Sequence, residues 1–177
     1  MSFEKLLLRR MVTPGGRHVR TSPNGGAVFG TDIGASRREN QDRLCGLLIH
    51  GQQDRPSRFY AALADGMGGM SDGAGCASLT LASFADFLIA NRQYPLRRGL
   101  EDAAKHANRR VHSVYGGRGG ATLSVIAIES GGAIIGLNVG DSRIYTRQAL
   151  GWASETVDDT LEARFGAEGR GLIQFIG

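Results

Sequence analysis

The chain has two cysteines, Cys45 and Cys76, and nothing around them has the spacing of a metal site. Both read as reduced, buried thiols of a cytosolic protein. No apolar run approaches the ~20 residues that cross a membrane as a helix. Leu6-Leu7-Leu8 is shorter than the roughly 7–15 residues of a signal-peptide core. One tryptophan and four tyrosines offer no stripe on which nucleic-acid bases could stack. Gly120-Ala121-Thr122 lacks the lysine of a Walker loop. There is no internal repeat. The formal charge is +4, and residues 1–26 carry all of it through Lys5, Arg9, Arg10, Arg17 and Arg20 against Glu4. The remainder is neutral, which speaks against nucleic acid as a partner.

What is present is a chain of 177 residues, enough for one domain with a real core, and 27 glycines, which point to many tight turns. Residues 1–25 read as a basic flexible arm and residues 26–177 as the domain. Pro14, Gly15, Gly16, Pro23, Gly25 and Gly26 disfavour helix and strand in the arm. It is either a solvated leader or a docking arm for an acidic partner or membrane surface.

Strands are expected at Gly26 to Thr31, Arg43 to Ile49 and Phe59 to Ala64. Ala77, Thr80, Leu81, Phe84, Phe87 and Leu88 recur at helical spacing. A second helix follows Pro95, with Leu100, Ala103, Ala104, Ala107, Val111 and Val114 on one face, and Gly116 to Gly120 breaks it. Ala121 to Ile128, a Glu-Ser-Gly-Gly turn and Ala133 to Val139 form a hairpin by pattern. Asp141-Ser142 turns into Ile144-Tyr145-Thr146, and Ser154 caps a last helix through Phe165. Strands, two amphipathic helices, then strands imply an α+β fold of mostly antiparallel sheets.

The most informative run is Ala64 to Gly69, Ala-Asp-Gly-Met-Gly-Gly. A buried strand ends on Asp65, and glycines follow that tolerate unusual dihedrals. A carboxylate at the end of a rigid strand, beside an unobstructed Gly66 carbonyl, suits a hard cation such as Mg²⁺ or Mn²⁺. It equally suits a plain Asp-Gly turn. Two further segments place aspartates at strand boundaries: Thr31 to Asp42, and Asn138 to Arg143. Gathered carboxylates repel unless a cation neutralises them or one takes up a proton.

These segments together resemble the metal-dependent protein serine/threonine phosphatases of type 2C, in their bacterial form. Asp32, Gly34, Arg37, Asn40 and Asp42 fall at the spacing of the first motif. Ala64 to Gly69 is similar to the second, and Gly120-Ala121-Thr122 with Asn138 to Arg143 to the paired strands that follow. The resemblance covers roughly residues 26–177. It implies a four-layer α-β-β-α sandwich with a binuclear Mn²⁺ or Mg²⁺ centre at one end. Asp65 would bridge both ions, Gly66 would offer its carbonyl, and Asp42 would support the same ion. Asp141 would serve a third, weaker ion, and Arg37 would hold the substrate phosphate. The activity implied is hydrolysis of phosphoserine and phosphothreonine by a metal-activated water, with no protein nucleophile. Phosphorylated proteins, a cognate serine/threonine kinase or its substrates would be the partners, in the cytoplasm.

The sequence departs from the family at three places. Gln41 stands where many relatives carry an acid. Met67 stands where some carry a histidine, and a thioether cannot donate a proton. The later Asp-Gly and Asp-Asn that complete the first metal's shell have no counterpart, since Asp158, Asp159, Glu162 and Glu168 do not match them. The apolar run Gly171 to Gly177 reads as a strand cut before its partner, so the sandwich is expected to be incomplete at the C-terminus. Two readings follow: an enzyme, or a non-catalytic phosphatase-like regulatory or phosphoprotein-binding module.

Overall fold

A computed structural model of the chain describes residues 4–5, 8, 17–22, 26–52, 54–67, 72–166 and 171–177. Its strands are β1 (Arg17–Thr21), β2 (Val28–Asp32), β3 (Asp42–Ile49), β4 (Arg58–Asp65), β5 (Leu123–Glu129), β6 (Ile134–Val139), β7 (Tyr145–Gln148) and β8 (Gly151–Ser154). Its helices are α1 (Gly73–Ala90), α2 (Leu96–Tyr115) and α3 (Leu161–Phe165).

Four strands form the central antiparallel sheet in the order β3-β4-β5-β6. Side chains alternate across it, as the two-residue period of a strand requires. Tyr60, Ala62 and Ala64 of β4, with Leu123, Val125 and Ala127 of β5, are buried in the core beneath the helices. α1 supplies Ala77, Leu81, Phe84 and Leu88 to that core, and α2 supplies Leu100, Ala103, Ala107 and Val111. α1 is long and apolar enough to cross a membrane by length and composition. Its apolarity has a local cause: it contacts β3, β4 and α2, so more than one of its faces is buried. α2 ends where Gly116 adopts φ 60° and donates its N–H to the His112 carbonyl, a left-handed cap that glycine accepts without steric cost.

The helix and hairpin expectations agree with this architecture, with corrections. Val114 is exposed rather than on the buried face. Ser154 closes β8 against Tyr145 instead of capping a helix; the short α3 is capped by Thr160, whose hydroxyl accepts from the Ala163 N–H. Residues 171–177 form no strand: Leu172 bridges Thr160 and Ile176 bridges Ala121 singly. The arm was expected to stay out of any sheet, yet β1 pairs with β2 from Arg17–Asp32 to Thr21–Val28. The Ser22 N–H donates to the Ala27 carbonyl and closes that hairpin.

The four-layer sandwich is present only in part among the described residues. Helices α1 and α2 cover one face of the sheet. On the other face the Phe29 ring of β2 occupies the space beside Gly46, where an added Cβ would come within 2.7 Å of it. Ile144 sits similarly over Gly136, at 3.4 Å. β7 and β8 form a separate pair. Leu48, Phe59, Ile128 and Ile134 align in register across the far end of that face, and Leu48, Ile128 and Ile134 are left exposed.

Candidate metal centre

The site forms where β3 begins and β4 ends. Antiparallel register sets Asp42 directly opposite Asp65, and like charges so placed repel. One cavity of about 510 Å³ is lined by all five residues singled out from the sequence: Arg37, Asp42, Asp65, Gly66 and Asp141. Asp32, Glu39, Gln41, Met67 and Thr122 also line it. Gly68 and Gly69 lie outside the described residues.

Asp65 opens to solvent, yet protein surrounds its carboxyl on enough sides for burial to be the chief perturbation. Burial, then the charge and hydrogen bond of Asp42, then Asp141, push its pKa up from 3.8 to about 6, against the pull of Arg37. This is a carboxyl held among acids and short of cations. Arg37 is exposed on the turn after β2 and has no hydrogen-bonded or paired partner among the described residues. Asp32 is different: it accepts from the Gly34 N–H at 2.9 Å and pairs with Arg17 at 2.6 Å. The first contact, then the second, hold its pKa below the ordinary value.

Backbone contacts lace the carboxylate-bearing segments together. The Gly66 N–H donates to the Gln41 carbonyl at 3.2 Å, and the Met67 N–H to the Gly120 carbonyl at 3.0 Å. Gly66 has no room for a side chain, because a Cβ there would lie 2.1 Å from the Gly73 carbonyl oxygen at the start of α1. The α1 entrance is itself anchored. Asp72, at φ 50°, caps the helix by accepting from the Gly75 N–H and accepts the Tyr115 hydroxyl at 2.9 Å. Aspartate is among the few residues that visit this left-handed conformation.

Four supporting residues escaped the sequence reading of the site. Thr122 receives the Asp65 N–H on its hydroxyl at 3.0 Å and shares a hydrogen bond with the Ser142 hydroxyl at 2.8 Å. It therefore joins the strand end bearing Asp65 to the turn bearing Asp141. Arg43 is buried and donates to the Asn40 and Asp42 carbonyls and to the Ser78 hydroxyl. Burial pulls its pKa down, opposed by Glu39, Asp42 and Asp72. A cue existed: Arg43 shares its strand parity with Cys45, Leu47 and Ile49, which pack against the core. Asp159 is buried, accepts from the Gly140 N–H and pairs with Arg164 at 2.6 Å. Asp158 pairs with Arg143 through two contacts of 2.8 and 2.7 Å. The two acids thus brace the Asp141 turn from both sides.

Among the described residues no group of three or more histidine, cysteine, aspartate or glutamate side chains is close enough together to hold a metal ion. The carboxylates that do converge are the Asp42–Asp65 pair, with Asp141 across the cavity. Oxygen donors of this kind suit Mg²⁺ or Mn²⁺, and the raised Asp65 pKa marks a place where a cation would be welcome. The donor set fits such an ion as a partial shell.

No protein-family model and no curated protein matches the chain. Solved structures do. The PPM Ser-Thr phosphatase MsPP from Mycobacterium smegmatis matches at 22% identity and TM-score 0.61, over 94% of this chain and 68% of that one. The serine/threonine phosphatase Stp1 from Staphylococcus aureus matches at 16% identity and TM-score 0.65, over 94% and 69%. A stage II sporulation E family protein from Thermanaerovibrio acidaminovorans matches at 27% identity and TM-score 0.53, over 73% and 61%. The chain has the fold of the bacterial PPM serine/threonine phosphatases and spans about two thirds of the length of these structures.

Proposed function

We propose that this chain carries the phosphate-binding and part of the metal-binding machinery of a metal-dependent protein serine/threonine phosphatase. The observation that carries the reading is one cavity, on a PPM fold, in which an unpaired guanidinium, Arg37, faces a group of carboxylates centred on Asp65. Asp65, Asp42, the Gly66 carbonyl and Asp141 would hold Mn²⁺ or Mg²⁺. Such a cation, when bound, supplies a Lewis acid that makes water a competent nucleophile near neutral pH. Arg37 would take two phosphate oxygens in its fork and orient phosphorus towards the carboxylate end of the sheet. No histidine among the described residues lines the cavity, and the Met67 thioether has no proton to give. The proton for the departing serine or threonine oxygen would come from water or from a histidine that does not line the cavity. The substrate class is a phosphorylated protein, and the two free cysteines fit the cytoplasm as the compartment.

A second reading has its own support. The donor set is a partial shell, which favours a module that binds phosphoproteins without turning them over. Arg37→Lys tests the shared element. The lysine keeps the charge and loses the fork, so phosphopeptide affinity should fall by roughly tenfold to a hundredfold, equivalent to about 1.5–3 kcal/mol. Fluorescence anisotropy with a labelled phosphopeptide measures it, and phosphate release on the same samples separates enzyme from binding module. Unchanged affinity would make Arg37 an ordinary surface arginine.

A further inference from the structure

A second cavity, of about 260 Å³, lies at the end of the sheet remote from Asp65. The connection between β3 and β4, residues 50–57, meets the α1–α2 connection at Arg92 there. Ile49 and Pro56 give it apolar wall, and His50, Arg55, Arg58 and Arg92 give it donors. Among the described residues no acidic side chain lines it. Arg58 is the fixed element: its Nε pairs with Glu129 at 2.8 Å and its Nη1 donates to the Tyr94 carbonyl at 2.7 Å. Its side chain is only 15% exposed.

Arg55 and Arg92 are in a different state. Both are exposed, and neither side chain has a hydrogen bond or ion pair among the described residues. Two unpaired guanidinium groups border one concave surface, and among the described residues that line it there is no carboxylate. Each carries five donors in a planar fork that matches phosphate oxygens, and the His50 ring adds another donor. A monoanionic carboxylate offers two oxygens to this set, whereas a phosphate dianion offers more oxygens and the charge to match both cations. The volume exceeds what a bare phosphate needs, and the apolar wall leaves room for the stem of a side chain that carries one.

We propose that this cavity binds a phosphate oxyanion, either free or carried on a serine or threonine side chain. It is separate from the candidate metal centre. β4 runs eight residues from Arg58 to Asp65, a span of roughly 23 Å at ~3.3 Å per residue, so no single phosphate reaches both ends. The proposal stands whether or not the metal centre hydrolyses anything.

The test is an amide NMR titration of the metal-free full chain at constant ionic strength. The probes are inorganic phosphate, a short phosphoserine peptide, and acetate as the carboxylate comparison. Saturable shifts are expected at the amides of Gly51, Gln52 and Arg92. The double variant Arg55→Ala/Arg92→Ala should weaken them by about tenfold or more. Both residues are exposed and unpartnered, so the variant's amide dispersion should match that of the unmutated chain. A peptide that binds more tightly than inorganic phosphate assigns the site to phosphorylated side chains, and the reverse order assigns it to free phosphate. Shifts confined to residues 32–42 and 66–67, shifts that grow linearly without saturation, an equal response to acetate, or full binding by the double variant would each overturn the proposal.

Discussion

At the scale of single residues the candidate site depends on Asp65 and the groups that hold it. Its pKa is raised from 3.8 to about 6, by burial first and then by Asp42. A carboxyl with a raised folded-state pKa favours the folded chain while it is protonated. That advantage disappears as pH rises from about 4 through about 6. Asp32, Asp158 and Glu4 have lowered values and act in the opposite sense, so the useful quantity is a difference. In metal-free protein, the unfolding free energy of the unmutated chain minus that of Asp65→Asn should fall between pH 4 and pH 7. Urea titrations at several pH values measure it, and a flat difference would mean that Asp65 feels no crowding. Thr122 is the second residue to test. Replacing it by valine removes the acceptor for the part-buried Asp65 N–H, which costs about 1 kcal/mol, the low end of the range for a donor left unpaired. Thr122→Val should lower stability and weaken Mn²⁺ binding together, and Thr122→Ser should restore both. Restoration of neither would show that the methyl group, not the hydroxyl, matters there. Thr122 was hard to foresee because its role is a contact between segments distant in sequence.

At the scale of elements, periodicity made the helices legible. The repeats beginning at Ala77 and Leu100 match the buried faces of α1 and α2. Val114 escaped because it lies in the last turn before the Gly116 cap, past Val111, the last buried position of α2. Ser154 suits a helix cap by residue type, and only its pairing with Tyr145 at the end of β8 decides otherwise. The arm was misread for the converse reason. Pro23, Gly25 and Gly26 looked like breakers, yet they stand between two strands that pair. The N-terminal residues are also attached elsewhere: Glu4 pairs with Arg110 at 2.8 Å and Leu8 packs against the core. Deleting residues 1–24, which a purely solubilising arm would tolerate, should therefore destabilise the domain. A loss on the order of 2 kcal/mol would lower the melting temperature by about 4–8 °C in a chain of this size. Calorimetry of the shortened chain measures it, and an unchanged melting temperature would return the arm to the solvated role.

At the scale of the whole molecule, four motifs in order were enough to indicate the PPM fold, which structural likeness at 16–27% identity bears out. The layering was less legible. A motif reports local residues, whereas the number of layers depends on how many strands and helices are available to stack. Here one face of the sheet is covered by two long helices and the other only in part, by Phe29 of β2 and by Ile144, with Leu48, Ile128 and Ile134 exposed. The candidate site shows the same division. The residues that line the cavity could be named from the motifs that carry the resemblance, while Arg43, Thr122, Asp158 and Asp159, which hold them in place, belong to contacts made only on folding. The central claim is that Asp65 and its neighbours form a cation site. Isothermal titration of the full chain with Mn²⁺ at pH 7 tests it most directly. The account predicts one weak, saturable site that Asp65→Ala abolishes and that weakens as pH falls through about 6, where Asp65 takes up its proton. Binding that Asp65→Ala leaves intact, or no binding by the unmutated chain, would contradict it.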